Sequence, residues 1–317
     1  MTLRHKVGVV TVTYNSGKVI DEFLMSLLAQ THQQFLLYLV DNASQDDTRE
    51  RVKAFTDSRI ILVQNQNNLG FAAGTNLGIH AALESGCDSV LIINNDTAFE
   101  LQLIEKLIAG MLEHACQLAV PKMLYYREPC RIWAAGGAIP WWRGFRAQHF
   151  GVGQDDRGQF DTPRRVTFAP LCCTLISSDI FRRIGYLDAN YFVYFEDVDF
   201  MYRAMKAKCE LIYLPNATLR HHVHALTGGR TSEFTFCYNN RNYTYFLLKR
   251  FGLWRTLPLL VVNQGYFLAR LLLCFDTPSA YVLRQTSLRN GFRLYKQWKN
   301  DRTLPAPQND AQQKSTS

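Results

Sequence analysis

Three carboxylates fall within four positions in the stretch YFVYFEDVDF, residues 191–200. Glu196, Asp197 and Asp199 are flanked by five aromatic rings, and apolar surroundings penalise a charge that has no partner. Such surroundings raise the pKa of a carboxyl group, so that it can exchange a proton near neutral pH. The alternative is that the acids begin a helix, where negative charge is favourable, and Asp199 suits that role.

Two further aspartates follow predicted buried strands. Asp41 ends the run FLLYLVD, where it either accepts an imide N–H from a ligand or caps a turn. Asp96 ends the run SVLIINND. There it either binds a hard divalent cation, with Asn94 as a neutral ligand, or caps the next helix.

Two loops add polar groups near these strands. In LPNATLRHHVHALTGG, His221, His222 and His224 offer a further metal ligand, the alternative being a solvated loop. In QNQNNLGFAAGTNLGI, three glycines and several amides favour close backbone approach to a ligand, although the same residues dominate ordinary turns.

Alternating strand and helix patterns must position these residues. The sequence predicts strands at 7–14, 35–41, 59–65 and 89–96, and helices at 19–30, 44–55, 72–86 and 100–114. This alternation indicates an α/β fold with a mostly parallel sheet flanked by helices, whose ligands bind beyond the carboxyl ends of the strands. No G-x-G-x-x-G follows the first strand, which argues against a dinucleotide fold. The missing G-x-G-T-R-type turn weighs against a nucleotidyltransferase.

Beyond residue 120 the pattern changes twice. Residues 120–175 predict hairpins and a loop over the site, and the chain from Glu233 onward predicts helices. A hydrophobic content of 47% with 20% charged residues is typical of a globular protein. The net charge of +8 is local, because the chain from Arg241 onward has twelve Lys or Arg against three Asp or Glu.

The motifs in their order resemble the family 2 glycosyltransferases with the GT-A (Rossmann-like) fold. Within that family they resemble the bacterial branch that includes rhamnosyltransferases of surface polysaccharide assembly. The matching pieces are VTVTYNS, VDNASQDDT, NNLGFAAGTNLGI, LIINND, LCCTLIS with FRRIGYLDANYFVYFEDVDFMYR, LPNATLRHH and YNNRNYTYFLLKRFG. The resemblance covers roughly residues 7–250. It implies a catalytic domain at 1–232, with a nucleotide-binding half at 1–120 and an acceptor-binding half at 121–232. A basic amphipathic helical extension at 233–300 and a disordered tail at 301–317 follow.

The resemblance also implies roles for single residues. Asp197 is similar to the general base that deprotonates the acceptor hydroxyl, and Glu196 is placed to hydrogen-bond the acceptor. Asp96 matches the last acid of the family's Asp-x-Asp motif for Mg²⁺ or Mn²⁺, whose first acid is replaced by Asn94. His221 resembles a further metal ligand, with His222 as the alternative register. The expected donor-binding residues are Thr13, Asn15, Asp41 at the pyrimidine ring, Asn68, Gly70, Asn76, Asn95 and Arg241.

The function that the resemblance implies is inverting sugar transfer. The donor would be a dTDP- or UDP-sugar, with rhamnose favoured, and the acceptor a glycan or polyprenyl-linked glycan in O-antigen or capsule synthesis. The alternative is a catalytically silent scaffold of a polysaccharide assembly complex.

Location is inferred from cysteines, the N-terminus and the last helices. Eight cysteines without a C-x-x-C pair predict reduced thiols, and no signal peptide precedes the first strand, so a cytoplasmic protein is expected. The stretch LWRTLPLLVVNQGYFLARLLLCF contains Arg, Pro, Asn and Gln, which argues against a spanning helix. It either lies peripherally on the inner face of the bacterial membrane or packs on the catalytic domain or a partner subunit. The spread of basic residues along apolar helices argues against nucleic-acid binding.

Overall fold

The computed structural model describes residues 5–223 and 232–301. The chain divides into two units, residues 1–235 and 236–317. His224 and the predicted disordered tail, apart from Asp301, lie outside the described residues. The functional halves expected within residues 1–232 stay predictions.

The secondary structure follows the predicted alternation. The strands are β1 (Val7–Thr13), β2 (Phe35–Asp41), β3 (Ile60–Gln64), β4 (Ser89–Ile93), β5 (Thr97–Phe99), β6 (Leu118–Tyr125), β7 (Ile132–Ala134), β8 (Gly137–Ala138), β9 (Gln148–His149), β10 (Arg164–Val166), β11 (Cys173–Ser177) and β12 (Leu211–His221). The helices are α1 (Ile20–Leu28), α2 (Thr48–Ala54), α3 (Gly70–Glu84), α4 (Leu103–Glu113), α5 (Ser178–Ile184), α6 (Glu196–Lys206), α7 (Glu233–Leu272) and α8 (Pro278–Asp301).

One mixed, mostly parallel sheet organises the first unit. Its strand order is β10-β12-β6-β11-β4-β1-β2-β3, with β5 paired to β12 and β7 paired to β6. The neighbours β3, β2, β1 and β4 are parallel, as are β6 and β12, whereas β11 runs antiparallel between β4 and β6. Strand β4 is buried along its whole length and β1 almost so, as expected for strands covered by helices on both faces. The α/β prediction is confirmed.

Parallel registers bring the predicted polar residues to one edge of the sheet. Thr13 at the end of β1 pairs with Asp41 at the end of β2, and Asp41 pairs with Gln64 on β3. Asn94, Asn95 and Asp96 follow β4 directly.

Helix α3 packs closely against β1, and two glycines make this possible. A Cβ at Gly78 would lie 2.5 Å from Val10 Cγ1, and one at Gly74 would lie 3.1 Å from Val12 Cγ1. The interpretation that all three glycines of this segment approach a ligand is therefore wrong for these two, which pack against the sheet. Gly70 is the exception and is described with the site.

The second unit is helical, as predicted. The helical path of α7 breaks at Gly252, whose φ of +74° turns the chain sharply. Before the break α7 contacts the far part of α8, where the Tyr245 and Trp298 rings lie 6.4 Å apart. After the break it contacts the start of α8, where Gln285 Nε2 donates to Gln264 Oε1 at 2.6 Å. Across the described residues, every helix is too short or too polar to cross a membrane.

Candidate active site

A cavity of about 710 Å³ opens in the first unit. The predicted catalytic residues Glu196 and Asp197 line it, together with the predicted metal ligands Asp96 and His221. Its other lining residues are Val12, Tyr14, Asn42, Asn68, Gly70, Phe71, Asn94, Asn95, Trp133, His149, Pro170, Leu171, Cys172, Phe192, Val193, Tyr194, Val223 and Phe234. A mostly apolar wall with a few polar groups is typical of small-molecule sites.

The carboxylate pair begins α6 after a strained aromatic segment. Phe192, Tyr194 and Phe195 have backbone φ values of 65°, 66° and 70°, which residues other than glycine rarely adopt. Val193 N donates to Tyr191 O at 2.8 Å, which closes a tight turn around Phe192. Strain of about 1–3 kcal/mol for each such residue persists only where the surroundings enforce it, commonly at functional sites.

Hydrogen bonds at both ends hold this segment in place. Tyr191 is buried and donates from its hydroxyl to Asp199 Oδ1 at 3.2 Å, while Tyr194 Oη lies 3.0 Å from Thr235 Oγ1. Asp199 is fully buried and pairs with Arg203 Nε at 3.0 Å. Asp199 is thus a first-turn acid of α6 that fixes the segment, as its position suggested, and it does not face the cavity.

Burial raises the pKa values of Glu196 and Asp197 to different extents. Burial, followed by the charge of neighbouring Asp197, raises the pKa of Glu196 well above its usual range. Burial also raises the pKa of Asp197, to about 6, although Val198 N donates to its Oδ1 at 2.7 Å. Glu196 Oε2 is buried without a hydrogen-bond partner. At neutral pH Asp197 is therefore ionised beside a Glu196 that retains its proton more strongly.

Glu196→Gln should raise the melting temperature at pH 8 and leave it unchanged at pH 4. An unfolded Glu titrates near pH ~4.3, whereas folded Glu196 keeps its proton to higher pH, so stability falls as pH rises between the two values. Gln does not titrate and avoids this loss. We expect a gain of roughly 2–4 °C at pH 8 by differential scanning fluorimetry. The control is Glu84→Gln at an exposed site on α3. An equal gain at pH 4 and pH 8 would contradict the assignment.

His221, not His222, lies beside Asp96. His221 Nε2 is 3.2 Å from Asp96 Oδ1, both side chains are buried, and the Trp133 ring meets His221 edge to face at 4.5 Å. His222 instead stacks on Tyr126 and lies 3.4 Å from Glu22 Oε2. The structure favours the first of the two registers that the sequence allowed.

The Asp96 and His221 pair fits a divalent cation. Asp96 Oδ1 and His221 Nδ1 are buried without hydrogen-bond partners, so the short Nε2–Oδ1 separation is not a well-aligned hydrogen bond. Two neighbouring ligands of one octahedral ion, each at ~2.1 Å, are themselves about 3 Å apart. Among the described residues no group of three or more His, Cys, Asp or Glu side chains is arranged to hold a metal. Further ligands would have to come from the donor phosphates and from water.

The same pair sets the charge of the imidazole. Burial opposes the charged ring, yet the neighbouring Cys172 and Asp96 outweigh it and raise the pKa of His221 well above its usual range. An imidazole that is protonated beside a carboxylate must lose its proton to bind a metal, so metal binding at this pair should release a proton.

Polar groups of three predicted donor residues and of Asn42 also line the cavity. Asn95 Nδ2 donates to Val12 O at 2.8 Å and to Ser16 Oγ at 3.1 Å, which ties the end of β4 to the end of β1. Asn68 Oδ1 accepts from Gly70 N at 2.9 Å. Asn42, which the sequence analysis missed, donates to Gly70 O at 3.0 Å. These amides face the cavity and shape the loop before α3.

Five predicted donor residues, Thr13, Asn15, Asp41, Asn76 and Arg241, do not line the cavity. Asp41 is fully buried, and its carboxylate accepts from Thr13 Oγ1 at 3.1 Å and from the amide and hydroxyl of Ser44. Because Asp41 has no exposed surface, a nucleobase could reach it only if the surrounding residues moved. Asn15 accepts from Gln45 N at 2.8 Å, so it shapes the turn after β1.

Asn76 also faces protein. Its side chain donates to Leu187 O at 2.8 Å and accepts from Leu187 N at 3.0 Å, as a neighbouring strand would. This clamp fastens α3 to the chain that leads into the strained segment, and it directs the Asn76 amide towards Leu187.

Arg241 lies in the second unit. Its guanidinium stacks on the Tyr238 ring at 4.4 Å and donates from Nε to Asn242 Oδ1 at 2.8 Å. Burial lowers the pKa of Arg241. Its role as a phosphate ligand stays a prediction.

Gly70→Ala should destabilise the protein by about 2–4 kcal/mol. Gly70 has φ +80°, and a Cβ there would lie 2.5 Å from Phe192 Cδ2 and 2.6 Å from Phe192 O. Thermal or urea denaturation measures the loss. Gly86→Ala is the matched control, because Gly86 has φ +69° but open space around it, and should cost about 1 kcal/mol. Equal costs would show that the contact with Phe192 is unimportant.

The sequence analysis missed the aromatic and sulfur-containing wall formed by Trp133, His149 and Cys172. Trp133 on β7 and His149 on β9 lie 5.2 Å apart between ring centroids, and Cys172 precedes β11. The only signal was the Trp- and Gly-rich composition of IWAAGGAIPWWRGF, which predicted a loop over the site without naming a residue.

Comparison with known proteins decides the family. Residues 8–185, more than half of the chain, match the model of glycosyl transferase family 2. The chain belongs to this family. It is therefore a glycosyltransferase, and the inverting mechanism is typical of the family.

Relatives of this family 2 glycosyltransferase include characterised bacterial enzymes. It is 24% identical over 312 residues to an N-acetylglucosaminyl-diphospho-decaprenol L-rhamnosyltransferase of Mycobacterium tuberculosis, covering 90% of this chain and 95% of the relative. It is 22% identical to the dTDP-rhamnosyl transferase RfbF of Shigella flexneri, covering 67% of each chain.

A solved structure agrees on the fold alone. The crystal structure of GalNAc-T7 with UDP, GalNAc and Mn²⁺ matches with a TM-score of 0.61 at 16% identity. The match covers 77% of this chain and 47% of that chain. The GT-A expectation for the first unit is confirmed.

Proposed function

We propose that this family 2 glycosyltransferase transfers L-rhamnose from dTDP-rhamnose to a polyprenyl-diphosphate-linked N-acetylglucosamine acceptor during bacterial surface polysaccharide synthesis. The observation that carries the chemistry is the Glu196–Asp197 pair, which lines one cavity with Asp96 and His221. The donor and the acceptor are those after which the two rhamnosyltransferase relatives are named.

The residues of the cavity suit inversion at the anomeric carbon. Asp197 is ionised above about pH 6. It removes the proton of the acceptor hydroxyl while the oxygen of that hydroxyl forms a bond to the anomeric carbon. The bond from that carbon to the diphosphate oxygen breaks with its electron pair, and the nucleoside diphosphate leaves. Glu196, protonated, donates a hydrogen bond to the acceptor sugar. The apolar walls exclude the water that would otherwise hydrolyse the donor.

Asp96 and His221 would hold Mg²⁺ or Mn²⁺ on the leaving-group side. When bound, the ion neutralises charge that develops on the departing diphosphate. With Asn94 in place of the family's first acid, the site carries one carboxylate fewer, so we expect weaker metal binding than in relatives that keep both acids.

The amide side of the cavity would receive the nucleoside and diphosphate. Asn42, Asn68 and Asn95 surround the loop that Gly70 allows to approach the cavity. The Trp133 and His149 side offers flat apolar surface to the sugar rings.

To reach a lipid-linked acceptor, the enzyme would have to act at a membrane surface. We propose the cytoplasmic face of the bacterial membrane as that place, with peripheral attachment. The eight cysteines all lie in described residues and are free thiols, which suits a reducing compartment.

The test is a transfer assay with purified protein. dTDP-rhamnose, UDP-glucose, UDP-galactose and GDP-mannose are each incubated with a short-chain polyprenyl-diphospho-N-acetylglucosamine, with Mn²⁺, with Mg²⁺ or with EDTA. We expect a rhamnosylated product from dTDP-rhamnose only, and more of it with metal. Product from another donor would overturn the rhamnose assignment, and absence of product from every donor would favour the scaffold alternative.

A further inference from the structure

The turn between α7 and α8 exposes four neighbouring apolar side chains. Leu272, Leu273 and Phe275 are 73%, 66% and 70% exposed, and Cys274 between them is also exposed. Proteins in water seldom present such a cluster unless another surface covers it. Leu271–Phe275 is called the tip below.

The exposed apolar surface continues along α7 after Gly252. Its members recur at intervals of three, four or seven residues, which places them on one face of the helix. They are Trp254 (82% exposed), Leu257, Val261, Leu268 and Leu272. Between Arg255 and Arg270 the sequence has no charged residue. This face and the tip form one apolar strip.

The charges beside the tip are paired with one another. Asp276 accepts from Arg270 Nε at 2.9 Å, from Arg270 Nη2 at 3.0 Å and from Arg284 Nη1 at 2.7 Å. The Arg284 guanidinium also lies 4.2 Å from the centroid of the Phe267 ring. Pairing of this kind reduces the cost of moving charges into apolar surroundings.

Basic side chains lie farther along α8. Arg289, Arg293, Lys296 and Lys299 lie from the middle to the end of that helix, and all four are exposed. Anionic headgroups attract such a cluster by about 1 kcal/mol for each residue near the surface. Two copies of this basic unit would repel each other, so a bilayer fits the strip better than a second copy does.

We propose that the apolar strip of α7 and its tip insert into the headgroup–acyl boundary of an anionic phospholipid bilayer. The helices lie in the interface, as no described helix can cross it. The paired charges of Asp276 accompany the tip, and the basic residues of α8 bind the headgroups. This insertion deepens the proposed function, since it would bring the enzyme to a lipid-linked acceptor.

The first experiment is vesicle flotation with the full-length protein and no substrates. Vesicles are phosphatidylcholine alone or a 3:1 mixture with phosphatidylglycerol, in ~150 mM NaCl. The variant is Leu272→Ser/Leu273→Ser/Phe275→Ser. Its matched control is Met25→Ser/Leu101→Ser/Leu112→Ser, three exposed apolar residues of the first unit. We expect binding to the anionic vesicles to fall at least about tenfold in the tip variant and to persist in the control.

The second experiment reports insertion directly. In a Cys130→Ser background, which removes the other exposed thiol, Cys274 is labelled with the environment-sensitive dye NBD. Its emission should rise and shift to shorter wavelength when anionic vesicles are added. An unchanged emission, or equal binding by the tip variant and the wild type, would overturn the proposal.

The outcomes separate this inference from the proposed function. Vesicle binding needs neither donor nor acceptor, so it can fail while transfer to a water-soluble acceptor succeeds, and the reverse. A dimer detected by light scattering that the tip variant abolishes, without vesicle binding by the wild type, would assign the strip to a second copy and reject the bilayer.

Discussion

Asp197→Asn is expected to lower the rate of sugar transfer by about 10²–10⁴-fold, the usual contribution of a general base. Asn keeps the size of the side chain but cannot take the acceptor proton. Binding of nucleoside diphosphate should be unchanged, because the role that we propose for Asp197 is on the acceptor and not on the donor. Steady-state kinetics gives the rate, and isothermal titration with dTDP or UDP gives the affinity.

The pH dependence of kcat/KM in the wild-type enzyme tests the role of Asp197 independently. The base must be ionised, and burial raises the pKa of Asp197 to about 6. At saturating metal, the value of kcat/KM should therefore fall about tenfold for each pH unit below 6. The control variant is Asp179→Asn, at an exposed acid on α5 that pairs with Arg182. If Asp197→Asn retained the wild-type rate and profile, Asp197 would not be the base.

Asp96→Asn is expected to lower kcat/KM by about 10²–10³-fold and to weaken Mn²⁺ binding at least about 10²-fold. A neutral amide cannot balance a divalent charge, and Asp96, whose Oδ1 is buried without a hydrogen-bond partner, is the carboxylate that we propose as a metal ligand. Mn²⁺ affinity in the presence of nucleoside diphosphate, measured by electron paramagnetic resonance, reports the site without relying on turnover.

Two adjacent histidines supply the matched control for this site. His221→Gln should weaken Mn²⁺ binding, because His221 Nε2 lies 3.2 Å from Asp96 Oδ1. His222→Gln should leave it unchanged, because His222 stacks on Tyr126 and faces Glu22. Equal effects of the two changes would mean that neither histidine is a specific ligand, and unchanged Mn²⁺ binding in Asp96→Asn would remove Asp96 from the site.

The two aspartates at strand ends, Asp41 and Asp96, differ in whether they face the cavity. Asp41 and Asp96 both follow apolar strands, and both lie at the same edge of the sheet as predicted. Only Asp96 lines the cavity, whereas Asp41 is satisfied by Thr13 and Ser44 and its neighbour Asn42 faces the cavity. Successive strand residues point to opposite sides, so a one-residue difference at the strand end decides which side chain meets a ligand.

Strand alternation also determines that His221, and not His222, lies beside Asp96. Strand β12 pairs with β6 in two registers, and Pro215, Asn216 and Ala217 lie between them. This irregularity resets which residues of β12 face the cavity, and it brings His221 to Asp96. Alternation counted from the start of the strand cannot predict it, because the reset depends on pairing with a strand that lies far away in the sequence.

The sequence by itself determined the βαβα alternation, the helical and basic second unit, and the acidic pair that begins α6. These features depend on residues close together in the chain, whose periodicity and charge are visible in any short window. The aromatic residues that flank the acids already predicted raised pKa values. Tertiary structure decided that the pKa of Glu196 lies well above its usual range while that of Asp197 is about 6, and it also decided the aromatic wall of Trp133 and His149 and the strained aromatic turn before Glu196. Burial and strain arise from residues that only folding brings together, so no local pattern encodes them.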